Sequence, residues 1–190
     1  SKRYQSGLNH NERGRILTTV INQGFTYLCG CFASVISTTK AINGIKRLKI
    51  DYQRELLHML YEHLDNCREL LEVHKTGSTN AQLEDYLFCI GEKLKIDFGL
   101  SIKVSRPLLK KKMSVDEVIN QIKHYSEMPD TAVLIGLEGK YSHWTTIDKV
   151  KNSITLLDSG SIKQIPIRNI PQIHQISKND VYVIKARVCK

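Results

Sequence analysis

The chain predicts an α+β fold, and three observations predict it. Apolar residues recur at three- and four-residue steps through the first half, as they do on the buried stripe of a helix. The second half carries short runs of β-branched residues, either alternating or continuous, as strands do. Helices precede most strands, which favours a helical lobe packed on a mostly antiparallel sheet lobe. With 190 residues, 41% of them hydrophobic, the chain can bury one sizeable core. We read residues 1–190 as one domain: a polar arm over 1–15, a mainly helical lobe over 16–97 and a mainly β lobe over 98–190.

After the arm, Ile16 to Ile21 is a short apolar segment that leads into a polar turn at Asn22-Gln23-Gly24. From there Phe32, Val35, Ile36, Ile42 and Ile45 mark a helix with one buried face. A second helix is expected over Asp51 to His74, with Leu56, Leu57, Leu60, Leu64, Cys67 and Leu71 on its inner side. Thr76-Gly77-Ser78-Thr79-Asn80 breaks it. Leu83, Tyr86, Leu87, Ile90 and Leu94 then mark another helix, and Cys67 and Cys89 read as core fillers. Leu100 to Val104 is a strand. Ser114 with Glu117 three residues on forms a capping box, followed by Val115, Val118, Ile119 and Ile122 on a helix face. Thr131 to Leu137 is a continuous apolar run, expected of a central strand, and Ser142 to Ile147 pairs with Ile154 to Asp158. Ser161 to Ile167 and Asp180 to Val188 complete the strands.

Composition narrows the function classes. A net charge of +9 and a pI near 9.3 favour an acidic partner. Lys110-Lys111-Lys112 beside Arg106 is the one basic cluster, and no groove-reading motif or aromatic-basic interleaving accompanies it. It reads as a solvated loop, no nucleic acid is expected, and an acidic protein or peptide is the favoured partner. No apolar run reaches membrane-spanning length and no signal peptide is visible, so the expected location is the cytoplasm, either of the producing cell or of a target cell. Five cysteines without a regular framework point to free thiols in a reducing compartment. No metal-ligand spacing appears, and neither metal nor cofactor is expected.

The chemistry concentrates in two windows. In the first, Cys29 opens a helix, where orphan N–H groups and the positive end of the macrodipole favour thiolate over thiol. In the second, His143 and Asp158 occupy facing strands. In a hairpin closed by an even-numbered loop, residues whose numbers sum to an odd value share a face, as His143 and Asp158 do; an odd loop would separate them. On a shared face Asp158 accepts from one imidazole nitrogen while the other faces Cys29. Trp144 alternates away from His143 and is expected in the core.

Gln23 six residues before Cys29-Gly30, followed in order by His143 and Leu157-Asp158, resembles papain-like cysteine peptidases and, more closely, their compact bacterial peptidase C39-like members. The resemblance covers these two windows, about a third of the chain, and leaves the region from Lys46 to Asp130 unmatched. It implies a papain-like fold with the active site between the lobes. It also implies a Cys-His-Asp site with Cys29 as nucleophile, His143 as base and Asp158 as orienter. The Gln23 amide and the Cys29 backbone N–H would form the oxyanion hole. Cys31, followed by Phe32-Ala33, imitates the papain signature in a second register and is the alternative nucleophile, although Gln23 then lies two residues too far upstream. The implied activity is peptide-bond cleavage, in the setting of a bacterial toxin or effector. The same triad runs glutamine deamidation, transglutamination and other acyl transfers, and an inactive papain-like fold would serve as a basic binding module.

Overall fold

The computed structural model describes residues 28–139, 142–158, 162–170 and 174–189. Among the described residues four helices come first: α1 (Cys29–Ile42), α2 (Ile50–Asn66), α3 (Leu70–Thr76) and α4 (Asn80–Phe98). Strand β1 (Leu100–Ser105) and helix α5 (Val115–Ser126) follow. Then come β2 (Thr131–Gly139), β3 (His143–Val150), β4 (Ser153–Leu157), β5 (Gln164–Pro166) and β6 (His174–Val188), with a short 3-10 turn at Ile167–Asn169. The six strands form one open sheet in the order β1-β6-β2-β3-β4-β5, antiparallel at every pairing. The α+β class expected from the sequence is therefore the observed one.

The sheet separates two cores. On one face Ala132, Leu134, Tyr182 and Ile184 pack with α1, α2 and α4; on the other Val133, Ile135, Ile147 and Ile154 pack with α5. An interior strand covered on both sides has no polar face, which explains the unbroken apolar run of β2. Helix α1 departs from the expectation of a single buried face, because all of its residues except Lys40 are buried, including Ser34, Ser37, Thr38 and Thr39. Small side chains let neighbours approach it from every side, and a helix enclosed in this way needs no polar stripe.

The single helix expected over Asp51 to His74 is two. The chain turns at Arg68, whose φ of 61° lies in the left-handed region, and α3 restarts in a new orientation with Val73 buried. Leu71, expected inside, is 66% exposed, and Cys67 is exposed as well. The β6 strand begins six residues earlier than its apolar pattern suggests. Its polar stretch pairs with the far end of β2, across a register irregularity between Ile135 and Leu137. The predicted capping box of Ser114 with Glu117 is present on α5, and Thr79 with Gln82 forms another, unpredicted, on α4. Lys110, Lys111 and Lys112 are exposed in a loop, as read. Arg106 instead lies over the Tyr182 ring at 5.0 Å and pairs with Glu84.

Candidate active site

Two anchor points lay α1 alongside β3. The Thr146 hydroxyl donates to the Ala33 carbonyl at 3.2 Å, and Lys40 Nζ donates to the Ile147 carbonyl at 2.7 Å and to that of Asp148. Helix and strand therefore run in the same direction. Four residues back from Ala33 along a helix is about 6 Å, and three back from Thr146 along a strand is about 10 Å. Those two steps end at Cys29 and His143.

The thiol occupies the first position of α1. Its N-cap, Leu28, offers no side-chain hydrogen bond, and the first turn carries no acidic residue, so the positive end of the helix is left for whatever binds there. Gly30 permits this placement. A Cβ at that position would stand 2.4 Å from the Ser78 hydroxyl and 2.6 Å from the Ser78 Cβ. Ser78 is itself held, its carbonyl accepting from the Trp144 indole at 2.8 Å and its hydroxyl meeting the Tyr86 hydroxyl at 3.3 Å. The half-buried Trp144 thus turns away from His143 and packs against the core edge-on to Tyr182.

The hairpin reaches the expected facing by an unexpected route. Three residues separate the closing pair Val150↔Ile154, so the loop is odd, and left uncorrected it would send His143 and Asp158 to opposite faces. A bulge between Ile147 and Lys149 inserts one extra residue and shifts the register. Beyond it the partners are Ile147↔Leu156 and Thr146↔Leu157, whose numbers sum to odd values, and the shared face is restored. Lys40 holds the bulge: its ammonium takes the Ile147 and Asp148 carbonyls and lies 3.8 Å from the Asp148 carboxylate.

His143 Nε2 meets Asp158 Oδ1 at 2.6 Å, with the carboxylate side chain 1% exposed and the imidazole 15%. The Cys29 side chain lies within hydrogen-bonding and electrostatic reach of the same ring. Burial is the strongest single influence on the ring and opposes its charge, but hydrogen bonds and charges from Asp158 and Cys29 together outweigh it and push its pKa up to about 9. An imidazolium beside a thiol at a helix start favours the thiolate. The Asp158 carbonyl accepts from Lys163 Nζ at 3.0 Å, which fixes the backbone that carries the carboxylate.

Cys31 lies in different surroundings. It is fully buried, and burial pushes its thiol up to about 12, with a Tyr86 hydrogen bond opposing the rise. Of the two thiols, Cys29 and not the alternative Cys31 lies within electrostatic reach of His143. Gln23 lies outside the described residues. Sequence reasoning missed Lys40 and Ser78. As the one charged residue of α1, Lys40 carried the available signal; nothing local marked Ser78, whose role depends on three distant partners. No family model matches the chain, and no curated protein does.

Proposed function

We propose that the chain is a thiol acyl-transfer enzyme of papain-like design, acting first as a cysteine peptidase on a protein or peptide substrate. The observation that supports this most is one imidazole paired with the buried Asp158 and within hydrogen-bonding reach of Cys29 at the start of α1. In this reading the Cys29 thiolate attacks the substrate carbonyl carbon, and the Cys29 backbone N–H, with the Gln23 amide implied by the resemblance, stabilises the oxyanion. His143 gives its proton to the leaving amine, then takes one from water as that water releases the acyl group. Asp158 keeps the ring oriented through both proton transfers.

Deamidation and transglutamination share the first half of this sequence and differ in the carbonyl attacked and the acceptor that follows. Mass spectrometry of acidic candidate proteins separates a severed chain from a side chain changed by about one dalton. The test of the site itself is alkylation with iodoacetamide at mildly acidic pH, where an ordinary thiol with a pKa of about 8.5 is silent. Cys29 is expected to be modified and Cys29→Ala to remove the modification together with turnover. Labelling of Cys31 in place of Cys29, or silence of Cys29 until alkaline pH, would leave a basic binding module without catalysis.

A further inference from the structure

Away from the candidate active site, the C-terminal turn of α2 faces the middle of α4, and three potential metal ligands meet there with a fourth, Cys67, beside them. His63, in the last turn of α2, and Cys67, its C-cap, stand four residues apart, and Asp85 and Cys89 stand four apart on α4. Residues at that spacing lie one above the other on a helix face, with Cβ atoms about 5–6 Å apart. The donor atoms of His63, Asp85 and Cys89 all lie within 4.8 Å of one another. Cys67 Sγ lies 3.9 Å from His63 Nε2, and His63 Nε2 contacts Asp85 Oδ2. Cys67 is also within electrostatic reach of Cys89.

We infer that His63, Cys67, Asp85 and Cys89 form a four-donor site for Zn2+ that ties the end of α2 to α4. A tetrahedral zinc with bonds of about 2.0–2.3 Å holds its donors roughly 3.5 Å apart, so the wider gaps among the three clustered donors draw in slightly and Cys67, 3.9 Å from His63 Nε2, swings toward Asp85 and Cys89 to complete the set. Two thiolates with an imidazole are the donors that zinc takes in preference to harder ions such as Mg2+ or Ca2+. Both cysteines are free, and the cluster is partly open to solvent, so an ion can enter without unfolding the helices. On binding, each thiol releases its proton to water, no electron moves, and the His63–Asp85 contact opens to admit the ion. Sequence spacing did not signal the site because its donors follow the four-residue helical step on two helices, not the two-residue gap of a zinc ribbon.

The test uses Co2+ as a spectroscopic substitute, added to the reduced Cys29→Ala protein so that the thiol beside His143 takes no part. One Co2+ per chain with a thiolate charge-transfer band is expected, and Zn2+ should bleach it. At a hundredfold excess of free Zn2+ over its Kd, the melting temperature should rise by about 5–10 °C. Cys67→Ser should halve the band, and Cys67→Ser/Cys89→Ser should abolish both band and thermal shift. Circular dichroism of the metal-free variants checks that they fold, and Asp85→Asn gives a milder variant in which affinity should drop at least tenfold. Absence of a thiolate band in the folded protein, or a band and thermal shift that survive in the double variant, would overturn the site.

Discussion

At the scale of single residues, the candidate site rests on the charge state of one ring and the absence of one carbon atom. Because His143 is raised from about 6.5 to about 9, its charge contributes stability in full below the lower value and loses that contribution as pH rises through the higher one. The reactive thiolate–imidazolium pair should therefore persist at neutral pH and lose its proton donor near pH 9. A pH–rate profile for turnover, or for Cys29 alkylation alongside histidine NMR, checks this. Asp158→Ala should move the upper limb to lower pH and cost about 1–3 kcal/mol of stability, since it leaves the mostly buried imidazole without its hydrogen-bond partner. Gly30→Ala should destabilise by about 1–3 kcal/mol in urea unfolding, because the new methyl group meets Ser78. Ser78→Gly in the same chain should recover part of that loss. These pairings show how far the sequence could be read. A cysteine at a helix start was legible from local periodicity, whereas the facing of His143 and Asp158 rested on a loop parity that the chain does not use. The contacts of Ser78 were not legible, since no periodicity links residue 78 to residues 30, 86 and 144.

At the scale of elements, the hairpin holds the most instructive disagreement. The facing of His143 and Asp158 was derived from an even loop, whereas the chain uses an odd loop and a compensating bulge. Strand alternation was legible from the β-branched residues; the bulge was not, because it depends on a lysine over a hundred residues away in the chain. Lys40→Met should therefore act on the site at a distance. Removing the ammonium leaves the Ile147 and Asp148 carbonyls without that donor, a loss of about 1–3 kcal/mol. We expect a lower urea midpoint together with slower Cys29 alkylation under native conditions. An unchanged alkylation rate in the folded variant would mean that the bulge holds its register without Lys40. The division of the expected second helix into α2 and α3 has a similar origin: the apolar pattern continues through the break, but Arg68 adopts a left-handed conformation that ends α2. Cys67 thereby lands at the surface, beside His63, and not in the core.

At the scale of the whole molecule, the order of elements and the antiparallel sheet were legible because helical and strand periodicities differ sharply between the two halves. The layering was harder to see. Helix α5 covers the face opposite α1 and α4, and α1 is enclosed on all sides, a state that small polar residues such as Ser34, Ser37 and Thr38 disguise in a sequence. Among the described residues, no helix is long and apolar enough to cross a membrane.

The enclosure of α1 has one further consequence. Two sulfurs sit on a single turn, Cys29 against an imidazole and Cys31 sealed in the core. A slow thiol reagent can reach the second only when the surrounding layers part, so its rate of modification should track the urea concentration and extrapolate to the free energy of global opening. The first, which keeps 6% of its surface exposed, should react without that opening. One sample, followed by peptide mapping over time, would then read reactivity from one atom and cohesion from its neighbour two residues along.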